Sequence, residues 1–372
     1  IENGKQRSAL GRSVGGLPAP KKVVIADDTM TADAAYRLAL DGTALLWRGD
    51  FQNARQLVQA LARRIDHKGS RAKRAKTKVA PTLLESFHRH RLAQLQRART
   101  LAMLLIPFEA DYTIPLRRAP DVRQACNEAY GAATEPFVVS LRELLGLIGA
   151  HEWRSKGVPI AALDDRIHPW YGVFSPVRGE YVELVAQAPL PNNATIAFDI
   201  GAGTGVLSSV LVRRGMQRVI ATDMDARALG CARENIARLG LESQVEIIEA
   251  DLFPEGQADL VVCNPPWLPG KPSSAIEHAI YDPDSRMLRG FLNGLKAHLA
   301  PGGEGWLILS DFAEHLGLRT REQLTGWIEA AGLVVAARHD VRPTHAKAMD
   351  ADDPLHAARS QETTSLWRLR AA

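Results

Sequence analysis

Residues 199–205 read Asp-Ile-Gly-Ala-Gly-Thr-Gly and residues 264–267 read Asn-Pro-Pro-Trp, two short stretches whose side chains can do chemistry. Glycines at 201, 203 and 205, with Ala202 between the first two, let backbone pass close to a ligand and take torsions that a side chain forbids. The stretch follows the apolar run 195–198 and leads into the apolar run 206–212, so it reads as a strand, a tight turn and a helix. The second stretch follows the apolar run 258–263 and sets a side-chain amide, two prolines and an indole in a row. Such a loop is rigid and can grip a flat polar group.

The acids around these stretches narrow the ligand. A dinucleotide site wants a Gly or Ala at the position held here by Val206, and Asp199 would repel a pyrophosphate. A carboxylate just before the loop instead suits a cationic amino group. Asp223, followed by Met224, ends the next candidate strand, where it can accept both ribose hydroxyl protons. Asp251 follows the third strand and can accept from an adenine amino group, with Leu252 and Phe253 flanking the ring. A single acid of this kind reads equally well as a surface residue or a helix cap. Three at successive strand ends, in the order amino acid, ribose, adenine, point to S-adenosylmethionine, with Asp199, Gly201, Ala202, Gly203, Gly205, Asp223, Met224, Asp251, Leu252 and Asn264 as its binding residues.

Asn-Pro-Pro by itself is an ordinary turn; its place after the fourth strand of such a sheet gives it a catalytic reading. Methyl transfer from a sulfonium is an in-line displacement, so alignment is the main task. The lone pair of an amide or exocyclic amine is delocalised, and acceptors on its two N–H groups hold the nitrogen in a reactive geometry. The Asn264 side-chain carbonyl and the Pro265 backbone carbonyl can serve as those acceptors, with Pro265 and Pro266 fixing the backbone. Trp267 can stack on the acceptor, a contact worth about 1–3 kcal/mol for a base. No metal is expected: the three cysteines are scattered, and His88 and His90 are too close in sequence for one helical face.

Strands are expected at 195–199, 218–223, 245–249, 258–263, 305–310, 333–339 and 365–370, with helices between most of them. The last pair is joined by the polar stretch 342–361, which predicts a hairpin and an antiparallel final strand. The fold class is α/β, a doubly wound, mostly parallel seven-stranded sheet over 166–372, preceded by a mainly α-helical domain over 1–165. Helical patterning covers 33–65, broken at Gly42 and at Gly49-Asp50, then 82–105 and 137–148. Recurring prolines place a linker between 157 and 193. The Pro- and Gly-rich stretch 268–274 reads as a substrate-covering loop, and Glu277, His278, Tyr281 and Asp282 read as pocket-lining or helix-surface residues.

The chain has 372 residues, 46% of them apolar, and a net charge of +4 that conceals an asymmetry. Residues 1–120 carry 22 Lys and Arg against 10 Asp and Glu, a net +12; the remainder carries 24 against 32, a net −8. Between Lys68 and Lys78 six of eleven residues are basic, which reads as an exposed loop. With Arg63, Arg64, Arg89, Arg91, Arg97 and Arg99 it can neutralise phosphates, so RNA is an expected partner; a solvated charge run is the plainer reading. No apolar run is long enough for a membrane span and no apolar signal core is present, so the expected location is cytoplasmic.

The glycine loop, Asp223, Asp251 and Asn264-Pro-Pro-Trp267 together resemble the class I S-adenosylmethionine-dependent methyltransferases that carry an Asn-Pro-Pro-aromatic motif. That resemblance spans residues 166–372 and implies methylation of a planar nitrogen: an exocyclic amine of rRNA, tRNA or DNA, or a glutamine amide of a translation protein. Glutamine methyltransferases of this group usually show Tyr where this chain has Trp267, and their Pro-Arg, acid, Leu-Val segment is matched only approximately by Pro176, Arg178, Glu180, Leu184 and Val185. The competing readings are a non-catalytic binding module with a vestigial cofactor site and an NAD-dependent oxidoreductase.

Overall fold

A computed structural model describes residues 8–16, 18–74, 81–132, 135–272, 275–343 and 350–372. The chain divides into two compact units, residues 1–152 and 153–372. Val158, Ile160 and Leu163, expected in the first domain, are buried in the core of the second, so the proline-bearing stretch after 157 folds as part of that unit.

In the first unit β1 (Leu10–Gly11), β2 (Lys22–Ala26), α1 (Ala32–Leu40), β3 (Thr43–Trp47), α2 (Phe51–Arg74), α3 (Leu83–Leu101), β4 (Leu104–Phe108), α4 (Arg123–Tyr130), β5 (Phe137–Ser140) and α5 (Leu141–Lys156) come in order. Helices dominate it, as expected, but they accompany a five-stranded sheet, β1-β5-β4-β3-β2, that the helical patterning does not reveal. Leu45 and Leu46, read as helical, lie in β3, and Phe137 to Ser140, read as the start of a helix, form β5. Each is a short, largely buried apolar run, in which strand and helix cannot be told apart by periodicity. The basic stretch is also corrected: α2 continues to Arg74, while 75–80 lie outside the described residues. Of the arginines around it, Arg64 pairs with Asp33 and Arg97 with Asp66. A capping box between Thr82 and Glu85 fixes the start of α3.

In the second unit β6 (Val158–Ile160) and β7 (Asp165–Ile167) form an antiparallel pair, followed by α6 (Glu180–Gln187). The alternating part is β8 (Ile196–Ile200), α7 (Val206–Arg213), β9 (Arg218–Asp223), α8 (Ala226–Arg238), β10 (Val245–Glu249) and β11 (Ala258–Cys263). After the short parallel pair β12 (Leu268–Pro269) and β13 (Tyr281–Asp282) come α9 (Arg286–His298), β14 (Leu299–Ser310), α10 (Phe312–His315), α11 (Arg321–Ala330), β15 (Leu333–Val341), α12 (His356–Arg359) and β16 (Thr364–Ala371). The sheet order is β10-β9-β8-β11-β14-β16-β15, parallel except that β16 runs antiparallel to both neighbours. All seven expected strands are present.

One face of this sheet is covered by α6 and α7, with Val182, Val185, Val206 and Val210 in its core. The other is covered by α9 and α11 through Phe291, Leu292, Leu295, Leu324 and Ile328. Each such side chain contributes roughly 1.5–3 kcal/mol by leaving water. Helix α9 lies so close to β14 that a Cβ on Gly305 would stand 2.2 Å from Leu295 Cδ2. Strands β8 and β11 are adjacent but belong to halves that wind in opposite directions, which opens a crevice at their carboxyl ends. The Asp259 carboxylate accepts from the Thr195 and Ile196 N–H groups at 2.8 and 3.0 Å and fixes the entry of β8 beside β11.

Candidate functional site

Four loops meet at that sheet edge, after β8, β9, β10 and β11, and they carry the predicted residues. Gly201, Gly203 and Gly205 have φ of 80°, 54° and 77°, in the region that favours glycine. The Gly201 and Ala202 N–H groups both donate to Thr222 O, at 2.9 and 2.8 Å. The Gly203 N–H donates to Asp223 Oδ2 at 3.0 Å, and the other Asp223 oxygen accepts from Asp225 N–H at 3.0 Å. The glycine turn is thus pinned to the end of β9. A Cβ on Gly203 would meet nothing nearer than Gly201 O at 4.0 Å, so the loop leaves open the space a side chain would fill.

Asp199 is buried, and its Oδ2 accepts from both the Ser208 N–H at 3.0 Å and the Ser208 hydroxyl at 2.6 Å. One oxygen therefore braces the first turn of α7 behind the glycine loop, a task not legible in the motif itself. Burial pushes its carboxyl up to about 6; the Ser208 bonds oppose the shift and Asp223 adds to it. Burial likewise raises the Asp223 carboxyl.

Met224 exposes 59% of its surface at the end of β9. Asp251 is exposed too, and its Oδ2 pairs with Arg286 at 2.6 Å. Leu252 takes a left-handed φ of 76°. Phe253, expected to flank the cofactor base, instead stacks on His298 and Phe291 with centroids 4.2 and 5.9 Å away, within the core under α9. That correction has a simple cause. Gly294 leaves the helix surface bare there, and the Phe253 ring fills it.

After β11, Pro265 is buried while Asn264, Pro266 and Trp267 are partly exposed. The Trp267 Nε1–H donates to Asn264 Oδ1 at 2.8 Å. An indole N–H only donates, so the bond also decides which end of the Asn264 amide is the carbonyl. The Arg178 guanidinium lies over the Trp267 ring at 5.3 Å. Arg178 is itself held by Glu180 at 2.9 Å and by the buried Glu362 at 3.1 Å, and Glu362 accepts from the Ser310 hydroxyl at 2.8 Å. Asn264 thus stands at the end of a chain of contacts running back to β14 and the start of β16. The sequence singles out Arg178 only as part of an approximate motif and gives no sign of Glu362, 184 residues away.

Of the segment expected to cover a substrate, 268 and 269 form β12, and 273 and 274 lie outside the described residues. Asp282, read as pocket-lining or helix-surface, is buried and accepts from the Met287 and Leu288 N–H groups at 3.0 and 3.1 Å, capping α9. Among the described residues no cluster of three or more metal-ligating side chains occurs, and no helix is long and apolar enough to cross a membrane.

Residues 167–324 match the family described as methyltransferase small domain. A release factor glutamine methyltransferase of Cereibacter sphaeroides is 32% identical over 192 residues, which cover 48% of this chain and 64% of the relative. A tRNA1(Val) (adenine(37)-N6)-methyltransferase of Shewanella loihica is 33% identical over 145 residues, 36% of this chain and 59% of the relative. A ribosomal RNA small subunit methyltransferase C of Alcanivorax borkumensis is 32% identical over 158 residues, 41% of this chain and 45% of the relative. The chain therefore spans less than two thirds of the length of each of these relatives.

Proposed function

We propose that the chain is an S-adenosylmethionine-dependent methyltransferase whose acceptor is a planar nitrogen, a reading supported by the match of residues 167–324 to the methyltransferase small domain family. The observation that carries the reading is the meeting of the glycine turn, Asp223, Asp251 and Asn264 at the ends of four neighbouring strands. The bare turn at Gly203 and the acids beyond it fit the cofactor: Asp199 and the glycines would hold its amino-acid end, Asp223 and Met224 the ribose, Asp251 and Leu252 the base. When bound, it supplies an electrophilic methyl group.

The chain's own part is alignment. Asn264 Oδ1 and the Pro265 carbonyl accept the two N–H groups of the acceptor nitrogen and direct its lone pair. Trp267 holds the Asn264 amide in the required sense through its N–H, while its ring packs beneath Arg178 and against the core on both sides of the sheet. An acceptor amine must share Asn264 Oδ1 with that indole, using the second lone pair, or displace it. No strong base is needed, since the nitrogen becomes acidic as the methyl group arrives. The acceptor classes are those of the relatives, an RNA base or a glutamine of a translation protein, and the basic first unit is the part we assign to recognising it.

Calorimetric titration with S-adenosylmethionine, its demethylated product and NAD tests the cofactor, and a radiolabelled-methyl screen of rRNA, tRNA and release factors tests the acceptor. Micromolar binding of the first two but not NAD is expected. Absence of binding to folded protein would leave a vestigial site. If RNA is the acceptor, its affinity should fall by 10-fold or more between about 50 and 200 mM salt, because neutralising several phosphates releases their counterions. A flat response points to a protein acceptor.

Protonation of Asp199 gives a further expectation. Its carboxyl sits at about 6 when folded against 3.8 as the reference, so the native state holds the proton more tightly than the unfolded chain. Stability from this group is complete below pH 4 and is lost as pH rises to 6; above that the buried charge is a cost. Cofactor affinity should run the other way, rising between pH 5 and 7 as a carboxylate forms for the ammonium group. Asp199→Asn should flatten that rise, weaken binding and raise stability at pH 8 by about 1–3 kcal/mol. Unchanged pH dependence in the variant removes Asp199 from cofactor binding.

A further inference from the structure

We propose that Arg286 and Met287, the first two residues of α9, form a wall of the cofactor cleft, with Arg286 determining recognition of the base through Asp251. The inference rests on the cofactor reading above. Two consecutive side chains reach opposite ends of the assigned site. Arg286 Nη2 lies 2.6 Å from Asp251 Oδ2 at the base end. At the amino-acid end, Met287 Cε lies 2.7 Å from where a Cβ on Gly201 would stand, so the Met287 methyl group rests on the bare face of the glycine turn.

The backbone that aims them is unusual. Asp284 and Ser285, adjacent and neither of them glycine, both take left-handed φ, 55° and 53°, immediately before the helix. Buried Asp282 then fixes the first turn by accepting from the Met287 and Leu288 N–H groups. Leu252 Cδ1 stands 2.6 Å from a Cβ position on Gly290, which presses α9 onto the loop bearing Asp251. The turn seats the buried Asp282 cap, but an ion pair whose partners expose 62% and 51% of their side chains gives little to folding, so stability does not account for the pair itself. Ligand contact does. With Oδ2 drawn to Arg286, the Asp251 carboxylate favours one orientation, which leaves Oδ1 to accept an exocyclic N–H of the base.

Titration with S-adenosylhomocysteine, S-inosylhomocysteine and 5′-methylthioadenosine tests this. The second ligand replaces the 6-amino group by an oxygen, and the third lacks the amino-acid end. Arg286→Ala is expected to weaken S-adenosylhomocysteine about 10-fold while leaving S-inosylhomocysteine within about twofold, with Arg286→Lys intermediate. Met287→Ala is expected to weaken S-adenosylhomocysteine about fivefold and leave 5′-methylthioadenosine unchanged. Equal losses for the amino and oxo ligands in Arg286→Ala, or no loss, would overturn the role of Arg286. Parent protein that binds none of the three would sink the cofactor reading itself, and this wall with it.

Discussion

Asn264→Ala is expected to reduce methyl transfer by on the order of 10²–10³-fold or more, with affinity for S-adenosylmethionine held within about threefold. The side chain ends a supported series: Glu362 and Glu180 hold Arg178, Arg178 faces the Trp267 ring, and Trp267 donates to Asn264 Oδ1. In the proposed reaction such support matters because the amide presents an acceptor at a fixed position while the nitrogen changes hybridisation. The variant loses that acceptor and little else, since Asn264 is half-buried and the fold around it rests on β11. Transfer of a radiolabelled methyl group and calorimetry on the same samples separate the two effects; equal transfer by the variant would remove Asn264 from the reaction. Trp267→Phe keeps a ring and deletes the N–H, so its rate should fall between the two.

The second large effect is on stability. Glu304 is fully buried at the centre of the sheet, where its carboxylate accepts from Arg368 at 2.8 and 2.9 Å, from Arg370 at 3.0 Å and from Trp306 Nε1 at 3.2 Å. The arginine bonds cross from β16 to β14, and the indole bond lies within β14. Glu304→Ala leaves Arg368, 13% exposed, without its counter-charge and opens a cavity beside the Trp306 indole. Breaking one partner of a buried pair costs about 3–5 kcal/mol. Arg370, 54% exposed, can turn to water and adds little. Denaturant unfolding of the second unit's signal should show that loss; a change below about 1 kcal/mol would mean the network is neutral. Glu304→Met, which fills the space without restoring the charge, should lose nearly as much because Arg368 stays unpaired.

The second unit is legible in the sequence because its information is local. Each of β8 to β11 is a short strand with a marked residue at or just beyond its end, Asp199, Asp223, Asp251 or Asn264, and the glycine turn fixes how the chain leaves β8. The first unit hides its strands for a physical reason. Thr43–Trp47 and Leu104–Phe108 are buried along nearly their whole length, so they lack the alternation that marks a half-exposed strand, and the second comes only two residues after α3. Within the site, the motif residues are readable but their supports are not. Asp251 meets Arg286 across 35 residues and Arg178 meets Glu362 across 184, and no spacing rule reaches that far. Phe253 shows the opposite error: its place beside Asp251 suggests a ligand contact, whereas Gly294 draws it into the core.

The insertion of β16 between β14 and β15 bears on how this chain is made. Synthesis proceeds from the amino end, so β14 and β15 emerge before the strand that joins them. Until Thr364–Ala371 have left the ribosome, β14 lacks a neighbour on one side and β15 has none, and Glu304 waits without Arg368 or Arg370. Both edges are open to pairing with other chains during that interval. Ribosomes stalled before residue 364 should therefore hold a nascent chain that chaperones bind and proteases cut, and emergence of the eight-residue strand β16 should end both.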